Sequence, residues 1–343
     1  MSAKKRMGER TVLFPSAPAI LSGGNIVTDT ENDGPLCGRF DQVVSDDTLG
    51  EESWERAERV MFEEAVKTAL YKAETELGEL QCLLGGDLLN QLISANYAAR
   101  ELGVPFLGMY SACSTISQSL LTAGMMIDGG YVENAVCAAS SHFSTAERQF
   151  RFPLEMGTTS TPTAQHTVTG AGALFLTAGQ AKKNSPRVVM TSGTIGKVID
   201  YGIRDMSNMG AAMAPAAADT ILAHLKDTGR TIEYYDKVIT GDLGTFGSEM
   251  LRELCAQKAV DLTGRHQDCG MIIYGTEKNM VCGGSGAGCS AVVLSAHILE
   301  QLKSGNWKRV LFLATGALMS PVSSKQGETM PSIAHAVVLE EIE

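Results

Sequence analysis

The stretch "CSTISQSLLTAGMMIDGGYVENAVCAAS" (Cys113–Ser140) aligns without a gap on "CSAVVLSAHILEQLKSGNWKRVLFLATG" (Cys289–Gly316), and Cys, Ser, Ser, Gly and Ala coincide. Each string opens on a cysteine, runs through a helical stretch, carries an aromatic (Tyr131 or Trp307) and ends in an apolar strand. These identities would mean little alone. Upstream, "LQCLLGGDLL" (Leu80–Leu89) and "YDKVITGDLG" (Tyr235–Gly244) place Asp87 and Asp242 at the same point, just past an apolar strand. "GAGALFLTAG" (Gly170–Gly179) and "IAHAVVLEEI" (Ile333–Ile342) close the two series. The same elements in the same order, twice, predict an internal duplication.

The surrounding segments fill in the repeat. "SWERAERVMFEEAVKTALYKAETEL" (Ser53–Leu77) has helical spacing of its apolar residues. "LLNQLISANYAARELG" (Leu88–Gly103) is a second predicted helix closing on glycine, and "VPFLGMY" (Val104–Tyr110) is a strand. In the second copy, "RVVMTSGTIG" (Arg187–Gly196) starts a strand and "APAAADTILAHLKDTG" (Ala214–Gly229) a helix. This βαβαβ order with continuous apolar strands predicts an α/β fold whose mainly parallel sheets are covered on both faces. The predicted halves are residues 11–182 and 185–343. Residues 140–167, "SSHFSTAERQFRFPLEMGTTSTPTAQHT", have no clean period and read as a long loop, as does Asp29–Gly50.

Charge narrows the functions. The 343 residues carry 28 Lys and Arg against 39 Asp and Glu, a net charge of −11 that repels a phosphate backbone, so nucleic acid is not an expected partner. "MSAKKRMGERTVLF" (Met1–Phe14) lacks the apolar core of a secretory signal, and no apolar run reaches the roughly 20 residues of a membrane span. The expectation is a cytoplasmic or peripheral membrane protein. The eight cysteines show neither a CxxC pair nor a metal-ligand spacing, so neither metal nor cofactor is expected and the compartment is read as reducing.

Several residues bear chemistry. Cys113 stands between a strand and a helix start, where amides and the helix dipole favour a thiolate. It reads equally as a nucleophile or as a small residue packing helix on sheet; its echo Cys289 reads as packing. Asp87 and Asp242 end strands at the edge where open α/β sheets bind ligands, and each also suits a helix cap. His142, Arg148 and Arg151 come from the long loop, the arginines offering a fork for carboxylates. "CGGSGAG" (Cys282–Gly288) is a glycine-rich turn whose amides suit an anion, without a nucleotide-binding motif.

The duplicated halves with a cysteine at the strand-to-helix turn resemble the thiolase fold, a five-layered αβαβα sandwich. "GDLLNQ", "ANYAAR", "ACST", "SSHFSTAERQFRFP", "AMAPAAADTI", "HQDCG", "GGSG", "ATGAL" and "IAHAVV" together resemble the stage V sporulation protein AD family of endospore-forming bacteria, from about Gly34 to the C-terminus. That resemblance implies a protein that binds dipicolinic acid or calcium dipicolinate. It implies attachment to the spore inner membrane through other subunits of a membrane channel complex, which moves the compound in sporulation and germination. It also implies a homodimer formed through "PFLGMY". Condensing enzymes of this fold pair the cysteine with His or Asn at two positions, occupied here by Gly241 or Asp242 and by Ser285. Without imidazole or amide there, Claisen chemistry lacks its proton acceptor and donors. The resulting expectation is a non-catalytic ligand site made from Asp87, Cys113, Ser114, His142, Arg148 and Ser285. The alternative is an active acyltransferase using Cys113 and a coenzyme A thioester.

Overall fold

The computed structural model describes residues 5–150, 161–178, 187–275, 280 and 282–342. The first copy contains β1 (Ala19–Thr28), α1 (Trp54–Lys72), β2 (Leu83–Gly86), α2 (Ile93–Leu102), β3 (Phe106–Gly108), α3 (Thr115–Asp128), β4 (Asn134–Ser141), α4 (Phe143–Phe150) and β5 (Gly170–Thr177). The second contains β6 (Arg187–Thr194), α5 (Met209–Thr228), β7 (Lys237–Thr240), α6 (Gly244–Ala256), β8 (His266–Asp268), α7 (Ala287–Val293), α8 (Leu299–Lys303), β9 (Arg309–Ala317) and β10 (Ser332–Ile342). A π-helical turn, Leu294–Ile298, joins α7 to α8.

Strand order is β3-β2-β4-β5-β1 in the first copy and β8-β7-β9-β10-β6 in the second. In each, four of the five strands run the same way, as expected of a mainly parallel sheet, and only β5 or β10 runs against both of its neighbours. The cause is the connection into β5 and β10. It turns back at the edge where β4 or β9 ends, instead of crossing the sheet to the starting edge as a parallel pair requires. Helices α1 and α2 cover one sheet and α5 and α6 the other, with α3 and α7 packed between the sheets. That is the αβαβα sandwich. The sheets meet along β1 and β6, paired antiparallel at Ile20–Val188 and Ala19–Val189. The junction expected between residues 182 and 185 lies outside the described residues.

Local chemistry accounts for the differences from expectation. Strand β1, "AILSGGNIVT", carries no clean strand pattern because its centre is Ser-Gly-Gly-Asn. Helix α1 crosses it there so closely that a Cβ on Gly24 would sit 2.3 Å from the Ala65 carbonyl oxygen. The helix expected from Leu88 begins at Ile93, because Gln91 and Leu92 hold left-handed φ values of 58° and 52°. The long loop contains α4 before its residues 151–160, which lie outside the described set. Among the described residues no helix is long and apolar enough to cross a membrane.

Candidate functional site

Cys113 sits in the turn "YSACST", between β3 and α3. The residue before it, Ala112, has φ 49°, a left-handed backbone that costs a non-glycine residue about 1–2 kcal/mol. Ser114 is the N-cap residue of α3, so Cys113 lies just outside the first helical turn. Its thiol is nearly buried and faces a narrow cavity. The cavity has a volume of about 40 Å³. As shaped, it admits a few waters. Apolar side chains dominate its wall, among them Phe150 from α4, Met209 from the start of α5 and Met319 beyond β9; Tyr110, Glu147, Thr167 and Ser285 add polar edges.

Behind the thiol stands a carboxylate. Ser285 Oγ lies 4.0 Å from Cys113 Sγ and donates to Asp242 Oδ2 at 2.9 Å. The Gly286 amide donates to the same oxygen at 3.2 Å, and Thr315 Oγ1 to Oδ1 at 2.7 Å. The glycine-rich turn therefore does hold an anion: the protein's own Asp242. Gly286, at φ 112°, allows this approach, since a Cβ there would meet Ser141 Oγ at 2.5 Å. Gln165 Nε2 ties the arrangement by donating to the carbonyls of Asp242 (2.5 Å) and Gly284 (3.0 Å).

The electrostatics follow from burial. Desolvation pushes the Cys113 thiol well above the ordinary value, and the Asp242 carboxylate pushes it further in the same direction. Burial also raises Asp242. The amides and helix dipole that favour a thiolate are outweighed, so the sulfur is held as a neutral thiol. All six histidines are described, and none lines the cavity. Cys113 therefore has no imidazole to take its proton.

Of the expected ligand residues, the structure brings Cys113 and Ser285 to one cavity and sends the others elsewhere. Asp87 is fully buried and caps α2: Oδ1 accepts from the Leu89 amide and Oδ2 from the Ala95 amide, both at 2.7 Å. Ser114 Oγ donates to the Ala314 carbonyl at 2.8 Å, pinning α3 to β9. His142 is buried with both ring nitrogens engaged, Nδ1 accepting from the Ser144 amide and Nε2 at 2.9 Å from the Asp47 carbonyl; burial depresses its basicity. Arg148 turns outward to pair with Glu55 and lies over the Trp54 ring. Arg151 lies outside the described residues. The single ligand constellation expected from the six residues is thus not assembled, because side chains chosen by type alone were claimed by nearby backbone and surface partners. Asp242 stands outside those six, although its doublet with Asp87 marks it in the sequence. Cys289 is fully buried, with Sγ directed at the Gly241 carbonyl, which fits the packing role. Among the described residues no three His, Cys, Asp or Glu side chains group to hold a metal.

Comparison with known proteins decides the family. The model of the family "Stage V sporulation protein AD" matches residues 8–340. The chain belongs to that family. It is 44% identical over 336 residues to stage V sporulation protein AD of Bacillus subtilis (strain 168), covering 98% of each chain. Solved structures with the same fold include 3-oxoacyl-[acyl-carrier-protein] synthase III from Aquifex aeolicus VF5. That match has TM-score 0.57 and 17% identity over 94% of this chain and 99% of the other. A single-substitution variant of OleA from Xanthomonas campestris gives TM-score 0.57 and 14% identity over 99% of both. This member of the sporulation family thus shares a thiolase-like scaffold with condensing enzymes.

Proposed function

We propose that this family member is a non-catalytic binding protein for dipicolinic acid, taken as its calcium salt. On this reading it serves on the spore inner membrane as a peripheral subunit of the channel complex that moves the compound in sporulation and germination. The observation that carries the non-catalytic part is the Asp242 carboxylate behind the Cys113 thiol. A carboxylate there opposes thiolate formation and an oxyanion alike, the opposite of what acyl transfer needs. The ligand and its setting rest on the family resemblance. The cavity adds support through its chemistry. Its aromatic and methionine wall suits a planar ring, Met209 and Met319 are adaptable enough to widen a narrow slot, and an acidic edge at Glu147 suits a neutral chelate better than a bare dianion. The free edge of β3, which pairs only β2 among the described residues and leaves Leu107 and Tyr110 exposed, supports the homodimer reading.

Calorimetric titration with dipicolinate and calcium tests the assignment, run on the parent protein and on Met319→Trp, which plugs the cavity. Saturable binding lost in the plugged variant is expected. Unchanged affinity in Met319→Trp would sink the cavity as the site, and a stable acetyl adduct on Cys113 after incubation with acetyl-coenzyme A, read by intact mass, would establish the acyltransferase alternative.

A further inference from the structure

A second concavity lies on the far side of β1, where the two sheets part. Strand β1 is paired with β5 along its length on one side. On the other side it meets β6 at Ala19 and Ile20 and the short strand Gln42–Val44 at Ile26–Thr28. The carbonyls of Leu21 and Gly23 fall in the gap, and lysines fill it. Lys303 Nζ donates to the Leu21 carbonyl at 2.7 Å, and Lys72 Nζ to the Gly23 carbonyl at 3.0 Å. Arg39 stands at the rim. The groove these residues line has a volume of about 650 Å³, far more than the cysteine cavity.

Three features of this groove converge. It gathers three cations on a protein of net charge −11. Asp41 answers Lys72 and Glu300 answers Arg39 at 2.7 Å, while among the described residues no carboxylate lies within ion-pair distance of Lys303. Lys303 is sunk deep enough that burial, and then the charge of Lys72, makes its ammonium costlier to hold. Two local irregularities border the same space: the register shift of β1 between Ile20 and Ser22, and the π-helical turn that brings Ser295 and Ala296 to the wall. Bulges and π turns are retained disproportionately where a fold builds a site. An ammonium has three donors, and each lysine keeps donors beyond its carbonyl contact.

We propose that this groove binds a small dianion, a phosphate monoester or a dicarboxylate, between Lys303, Lys72 and Arg39. The site is independent of the cysteine cavity and of the ligand assigned to it. A dianion set there supplies the charge that Lys303 lacks and relieves the crowding of the two ammonium groups. The guanidinium of Arg39 adds a planar fork from the rim.

Calorimetric titration with inorganic phosphate and, separately, with dipicolinate in the presence of a calcium chelator tests the proposal. The parent protein is compared with Lys303→Gln, with the surface variant Arg39→Gln, whose fold is not at risk, and with Met319→Trp. Saturable binding of at least one probe is expected. Both groove substitutions weaken it about tenfold or more, the worth of one hydrogen bond to a charged group, and Met319→Trp leaves it unchanged. Phosphate binding alone makes the phosphate group the determinant; dipicolinate binding alone makes it the paired carboxylates. Absence of saturable binding by either probe overturns the proposal. So does an affinity that neither groove variant moves, or binding abolished by Met319→Trp, which would put the anion in the cysteine cavity. Loss of calcium dipicolinate binding in Met319→Trp with groove binding intact separates the two sites.

Discussion

Asp87 and Asp242 stand at the same place in the two copies, just past a strand, "LLGG" or "KVIT", yet they do different work. Asp87 spends one oxygen on the Ala95 amide in the first turn of α2 and the other on the Leu89 amide of the turn before it. Asp242 turns to Ser285 and Gly286 and to Thr315 of the neighbouring strand β9, with Cys113 beyond. The cysteines diverge in the same way: Cys113 lines a cavity, whereas Cys289 is fully buried with its Sγ against the Gly241 carbonyl. The difference arises from what each copy meets. In the first, Ala146, Glu147 and Phe150 of α4, with Met209 and Met319, wall a cavity over the Cys113 turn; in the second, Cys289 is fully buried. Duplication supplied two similar corners, and the neighbours decided which opens on a cavity.

The largest test of that contrast is Asp242→Ala. It strands a serine hydroxyl, a threonine hydroxyl and an amide in a buried setting, and a loss of about 3–5 kcal/mol is expected in urea unfolding. A loss below about 1 kcal/mol would mean that the network is not holding the turn. Asp87→Ala removes a helix cap and should cost about 1–2 kcal/mol by the same measurement, while leaving calcium dipicolinate affinity unaltered. Weakened affinity there would return Asp87 to the ligand site.

The smallest effect is a slope. Burial, and then the charge of Asp87, lifts Glu58 on α1 from 4.5 to about 8, and the hydroxyls of Thr145 and Ser140 bond to it. The folded state therefore keeps a proton that the unfolded chain releases, and stability falls as pH rises from 4.5 toward 8. Asp87 (about 6) and Asp268 (about 7) act in the same sense, and burial also raises Glu31 and Asp242, so the share of Glu58 in the interval from pH 7 to 8 is read by difference. Glu58→Gln should flatten the pH dependence of the melting temperature in that interval; an unchanged slope would assign it to another group.

The sequence made the scaffold legible because its signals are periodic and repeated. The Cys113–Ser140 and Cys289–Gly316 strings land on equivalent helix-to-strand units, α3 to β4 and α7 with α8 to β9. Strand β1 was hidden, since glycines chosen for helix contact erase a strand's apolar signature. The candidate site was legible only at the Cys113 turn. Cys113 and Ser285 converge, whereas His142 and Arg148 were drawn in by their chemistry and are held by Asp47 and Glu55 instead. The cavity wall of Phe150, Met209 and Met319 comes from separate parts of the chain, and nothing in an isolated Phe or Met announces such a meeting.

The placement of β1 sets the order of events during synthesis. Its first residue, Ala19, pairs with Thr177, and its other edge meets Val188 and Val189. A strand made at the start of translation must wait until about half of the chain has left the ribosome before either partner exists. Such long-range closure makes folding slow, and until it happens the edge of β1 is open to pairing with other chains. The short strand Gln42–Val44 and helix α1, both made soon after β1, are its earliest available cover.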